Sequence, residues 1–131
     1  MPLPDHARAL LDATHVAVLA TTNPDGSPQS SPVWVGRDGD DVIVSTAAGR
    51  RKVENLRRDP RASLTVFDPA DDQRYVEIRG TATVTEDAGR ATAIALGEKY
   101  EGPAGGAEYR ALPPEVVRVV VRITPQRVVL G

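Results

Sequence analysis

The sequence predicts a mainly β protein: a six-stranded antiparallel barrel with two or three accessory helices, in one domain spanning 1–131. Three observations predict it. Short apolar segments come in runs separated by turn signals, not alternating one for one with helices, which favours an antiparallel sheet. One long segment, Tyr75 to Thr85, alternates apolar and polar residues at a period of two. The length suits a single domain able to bury roughly two thirds of its unfolded surface.

Pro4 to Ala13 reads as a short helix with Ala7, Leu10 and Leu11 on one face. His15 to Thr22 is apolar on both faces, as expected of a strand covered on both sides. Asn23-Pro24-Asp25-Gly26 is a turn, with Pro for the first bend and Gly for a positive φ. Gln29 to Val35 is the second strand, Arg37-Asp38-Gly39-Asp40 a second turn, and Val42 to Thr46 the third strand. Arg50 to Arg58 reads as a helix with Val53 and Leu56 as its apolar anchors, ended by Pro60. Ala62 to Phe67 is a strand, and Asp68 to Asp72 a loop. In the long strand Val76, Ile78, Gly80, Ala82 and Val84 share one face. Thr85-Glu86-Asp87 offers a helix start, continued at helical spacing by Ala91, Ile94 and Ala95 to about Tyr100. Gly102-Pro103-Ala104-Gly105-Gly106 reads as a mobile loop. Val116 to Ile123 is the sixth strand.

Composition excludes several classes of function. Without cysteine there is no disulfide, no thiolate metal site and no cysteine nucleophile. His6 and His15 lack metal-ligand spacing, so no metal is expected. A net charge of −2 argues against a nucleic-acid partner. No segment reaches the length of a membrane span, and Met1-Pro2-Leu3-Pro4-Asp5 lacks a basic region followed by an apolar run. A cytoplasmic location is expected.

One segment departs from this background. Arg50 to Arg61 holds six basic and two acidic residues, a local charge of +4 against −6 for the rest of the chain. It follows two hydroxyls, Ser45 and Thr46, and a glycine, Gly49. Helix N-termini favour anions, so Arg50 and Lys52 in the first turn oppose the helix dipole unless an anion is bound there. The same features also fit a solvated basic face with ordinary surface ion pairs.

The order of several motifs narrows the choice. Leu19-Ala20-Thr21-Thr22, then Asp25 to Trp34, then Ser45-Thr46, Gly49-Arg50-Arg51-Lys52 and Asn55 to Leu64, then Tyr75 to Gly80, resembles the pyridoxamine-phosphate-oxidase-like split barrels. Within them the pattern is most similar to the F420-dependent flavin/deazaflavin oxidoreductases, in register from about Leu19 to Val84. The resemblance implies a split β-barrel homodimer with two cofactor sites at the dimer interface. It implies coenzyme F420 as cofactor, with flavin mononucleotide (FMN) as the alternative. It assigns the cofactor phosphate to Arg50 and Lys52, with Ser45 and Thr46 beside them, and the ring to the strand around Gln29 and Ser30. Tyr75 matches an aromatic position near the cofactor, and Arg51 and Asn55 are secondary assignments.

Plainer roles stand beside these: an exposed strand residue for Gln29, cross-strand packing for Tyr75, local backbone bonding for Asn55, and core or dimer interface for Trp34. Arg118 and Arg122 read as a solvated strand face. The chain offers no paired carboxylates and no histidine–acid pair, as expected where a cofactor supplies the hydride and no catalytic side chain can be named. The function implied is hydride transfer from reduced F420 to a small conjugated acceptor, enone-like or tetrapyrrole. An FMN enzyme of the same fold and a non-enzymatic cofactor carrier are the alternatives.

Overall fold

The computed structural model describes all residues, 1–131. Its strands are β1 (Ala17–Thr22), β2 (Pro28–Val33), β3 (Val35–Asp38), β4 (Asp41–Ala47), β5 (Arg61–Asp68), β6 (Asp71–Glu86) and β7 (Arg118–Leu130). The helices are α1 (Asp5–Asp12), α2 (Arg51–Arg58), α3 (Ala91–Glu101) and the single turn α4 (Ala107–Arg110). All seven strands form one antiparallel sheet in the order β2-β1-β5-β6-β7-β4-β3.

There are seven strands and not six, because the run expected as one strand from Gln29 to Val35 breaks at Trp34. The break explains the curl. β2 and β3 are the two edges of the sheet, yet only Trp34 separates them in the chain. The sheet therefore has to roll up until its edges meet at that residue. Pro28 and Pro32 suit an edge strand, since proline cannot donate to a ladder on both sides.

The inner face of this half-barrel is the core. Leu19, Leu64, Val66, Ile78, Val121 and Ile123 are fully buried there, each burial worth roughly 1.5–3 kcal/mol. α1 closes one end with the expected face of Ala7, Leu10 and Leu11. It is held by Arg8, which pairs with Asp40 at 2.9 Å in the β3–β4 turn, and by the Leu3 amide, which donates to the same carboxylate. On β6 the expected alternation holds, with Val76, Ile78, Gly80 and Ala82 buried.

Four expectations change. β1 is not covered on both faces: Val16 before it and Val18 within it are 48% and 42% exposed. β7 does not stop at Ile123 but runs to Leu130, and the register shift at Arg79/Gly80 of β6 leaves Gln126 as the extra residue between Pro125 and Arg127. Gly80 is required there, as a Cβ would lie 2.1 Å from the Thr124 carbonyl oxygen. α3 buries Ala93, Leu96 and Gly97 and leaves Ala91 and Ala95 exposed. The glycine-rich stretch after it is packed: Gly97 and Gly105 meet backbone to backbone, which brings α4 against α3.

Candidate functional site

A cleft of about 350 Å3 opens beside the seam at Trp34. β4 ends in Ser45 and Thr46, and Gly49 follows with φ +90, a conformation that favours glycine. That turn launches α2, whose start has no side-chain cap. Val53 and Leu56 seat the helix on the barrel, and the fully buried Asn55 locks it. Asn55 Nδ2 donates to Thr21 Oγ1 and Asn23 Oδ1, both at 3.0 Å. Docked this way, α2 turns Lys52 into the cleft, where its Nζ donates to Ser31 Oγ at 3.1 Å.

The far wall comes from β7 and the α3–α4 pair. Arg118, opposite Ala47 in the β4–β7 ladder, donates from Nη2 to Ser45 Oγ at 2.9 Å. Its guanidinium lies 5.1 Å from the centroid of the Tyr109 ring of α4. Val33, Ala93 and Leu96 make the cleft apolar, and Trp34 adds an aromatic wall. Trp34 is stacked on Tyr100 at 5.0 Å and 5° between planes. Tyr100 is itself fixed: its hydroxyl donates to the His15 carbonyl at 2.7 Å and accepts from the Val35 amide at 3.0 Å.

The cleft gathers three cations within electrostatic reach of one another, two of them half-buried. Arg8, Arg37, Arg61, Arg79, Arg110 and Arg122 each pair with a carboxylate, whereas Arg50, Lys52 and Arg118 have none within salt-bridge distance. Burial holds the Lys52 amine below its ordinary pKa, and the charges of Arg50 and Arg118 push it further down. Arg118 is likewise lowered by burial. Its Nε is buried with no partner. Cations that are desolvated, mutually repelling and free of counter-ions suit an anionic ligand.

The family described as pyridoxamine 5'-phosphate oxidase matches residues 3–130. The chain belongs to this family. An F420H(2)-dependent biliverdin reductase of Mycobacterium tuberculosis (strain CDC 1551 / Oshkosh) is 30% identical over 130 residues, which span 96% of this chain and 86% of that protein. A solved structure described as an F420 reductase aligns with a TM-score of 0.80 at 28% identity, covering 97% of this chain and 98% of that one. The conserved hypothetical protein Rv2991 of Mycobacterium tuberculosis aligns with a TM-score of 0.78 at 26% identity, over 98% of this chain and 83% of that one. No helix is long and apolar enough to cross a membrane, and no group of histidines and carboxylates is arranged to hold a metal.

Within this pyridoxamine 5'-phosphate oxidase frame the residues singled out from the sequence divide in two. Ser45 and Lys52 line the cleft, and Arg50 stands exposed at the helix start within electrostatic reach of both Lys52 and Arg118. Arg51 is exposed on the first turn of α2 and unpaired. Thr46 faces the interior, since it alternates with Ser45 along β4. Gln29 is half-buried and accepts from Thr21 Oγ1 at 2.7 Å, so with Asn55 it belongs to the network that pins α2 to the β1–β2 hairpin. Ser30 is exposed on β2. Tyr75 lies away from the cleft, paired with Phe67 and packed against Gly131.

Arg118, Tyr109 and Ser31 were not singled out as site residues. Alternation correctly puts Arg118 opposite Val119, but only the pairing of β7 with β4 carries that outer face to the cleft. Arg122, two pleat repeats further on, pairs with Asp38 and Asp41 and is the solvated residue expected. Of the other bases, Arg61 pairs with Asp59, and Arg58 donates to the Thr22 carbonyl and to Asn55.

Proposed function

We propose that this chain is an F420-dependent reductase, working as a cytoplasmic homodimer, that passes a hydride to a conjugated acceptor. The single observation that carries the reading is the group of three cations without counter-ions beside an apolar, aromatic-walled cleft. The relatives' descriptions support the choice of F420 over FMN. When bound, the deazaflavin supplies a hydride to an electron-poor carbon.

The roles of the chain's own residues follow from their positions. Lys52 and Arg50 hold the cofactor phosphate at the start of α2, where the dipole adds to their charge. Ser31 and Ser45 orient Lys52 and Arg118. Val33, Leu96 and Trp34 exclude water from the flat ring system. Val16, Val18 and Pro32 extend the apolar surface from the cleft on to the outer face of β1 and β2, where a second copy would complete the site.

The test is a titration of F420 and of FMN at low and high salt, followed by turnover of a panel of enones and a tetrapyrrole with reduced F420. F420 is expected to bind more tightly, and its affinity to fall more steeply with salt, because its glutamate tail adds charge beyond the phosphate. Exposed Arg51 and Arg57 are available for that tail, each contact worth at most about 1 kcal/mol. Tighter binding of FMN overturns the cofactor assignment. Tight F420 binding with no turnover of any acceptor makes the chain a carrier.

A further inference from the structure

Phosphate recognition does not account for Arg118. It stands on β7, across the cleft from α2, and it is tied to the opposite wall by Ser45 and by the Tyr109 ring. One N–H donor is used, to Ser45; Nε is buried and unbonded. Asp87 is the carboxylate whose charge acts most strongly on it, and Glu108 acts more weakly. Asp87 is already committed: its two oxygens accept from the amides of Thr92 and Ala93 at 3.0 and 2.9 Å, capping α3. Neither acid reaches salt-bridge distance of Arg118. A half-buried guanidinium is thus left with free donors, repelled by Arg50 and facing an apolar cleft.

Lys52 and Arg118 also differ in kind. An ammonium serves as a point charge, whereas a guanidinium presents a planar fork matched to a carboxylate. The guanidinium is planar by its own resonance, and the Tyr109 ring 5.1 Å from it helps to hold it in place. Next to it, Trp34 offers a flat wall for a conjugated system.

We propose that Arg118 is a specificity-determining residue that recognises a carboxylate on the hydride acceptor, so that the preferred acceptors are conjugated molecules bearing a carboxylate. This rests on the reductase reading, but it can fail independently of it. Trp34 is the only tryptophan and lines the cleft, so its fluorescence reports occupancy with no cofactor and no turnover.

The experiment titrates the cofactor-free protein with biliverdin and with its dimethyl ester, which keeps the conjugation and removes both carboxylates. Quenching of Trp34 emission gives the affinity of each. The wild type is expected to prefer the acid by about tenfold or more, the scale of a lost charge-assisted hydrogen bond. Arg118→Gln is expected to bind acid and ester alike, and Arg118→Lys to keep part of the preference. Separate titration with F420 is expected to give Arg118→Gln the wild-type affinity, while Lys52→Ala loses it. Equal binding of acid and ester by the wild type, or no binding of either, overturns the proposal. So does a loss of F420 affinity in Arg118→Gln as large as that in Lys52→Ala, which would put Arg118 in the cofactor's own cradle. Should Arg118→Gln fail to fold, an undiminished acid preference in Arg118→Lys counts against the fork geometry and overturns it as well. Failure of F420 to bind the wild type would remove the reductase reading while leaving the acid-to-ester comparison intact.

Discussion

At the scale of single residues, Lys52 and Asn55 lie on the same helix and do opposite jobs. Lys52→Ala is expected to weaken cofactor binding by about 1.5–3 kcal/mol, the range for a hydrogen bond to a charged group, as read by titration. The lowered amine pKa adds a pH dependence with a definite sign. In the free protein Lys52 gives up its proton at lower pH than an ordinary lysine, so phosphate affinity falls as pH rises through that lowered value. The unfolded chain keeps its proton up to the ordinary value. Between the two, stability of the cofactor-free protein rises with pH. Below that window the buried charge opposes folding, so Lys52→Met is expected to raise the melting temperature of the cofactor-free protein at neutral pH. Asn55→Leu acts the other way. It strands Thr21 and Asn23 without their donor and is expected to destabilise the fold by about 1–3 kcal/mol in denaturant unfolding. The sequence pointed to both residues as ligand contacts. The place of Lys52 at the cleft was legible because a base in a first helical turn is locally out of place. The role of Asn55 was not, because its partners sit 34 and 32 positions away and are joined to it only by the docking of α2.

At the scale of elements, the α3–α4 pair shows what periodicity can and cannot deliver. Helical spacing located α3, and a run of glycine and proline marked where it ends. Those glycines read as freedom, yet Gly105 is there for its closeness to Gly97 within α3. A Cβ on Gly97 would lie 2.2 Å from the Gly105 carbonyl oxygen and 3.0 Å from the Tyr109 ring. Gly97→Ala is expected to cost about 1–3 kcal/mol, as other overpacking changes do. It is also expected to shift the emission of Trp34, because Leu96 and Tyr109 move with the two helices that line the cleft. Thermal unfolding and fluorescence measure the two effects; an unchanged spectrum would mean the helices do not shape the cleft. The break at Trp34 was hidden for a related reason. Gln29 to Val35 reads as continuous strand, and only the closure of the whole sheet requires the chain to leave one edge and join the other there.

At the scale of the whole molecule, the antiparallel class and the barrel were legible from turn chemistry and alternation, because those signals are local. β1 was misread for an informative reason. Its residues are apolar on both faces, and within one chain only the Leu19 face is covered; Val18 points outward. A strand whose outer face is apolar asks for a cover, and a second copy of the chain would supply one. Light scattering is expected to show a dimer at micromolar concentration. Val18→Glu discriminates between this and a solvent-facing β1. In a solvent-facing strand the substitution changes stability by no more than about 0.5 kcal/mol and leaves assembly alone. Across a dimer interface it places one charge per chain on an apolar surface without a partner, so the variant is expected to run as a folded monomer. Cofactor affinity then tests the site itself. Val16 and Pro32 belong both to the cleft and to the exposed apolar surface. Loss of the partner should therefore open one side of the cleft to water and weaken binding, even though Lys52 and Arg50 are untouched. A Val18→Glu monomer that binds F420 as tightly as the wild type would show that one chain makes the whole site, and a wild type that is already monomeric would show that β1 faces solvent.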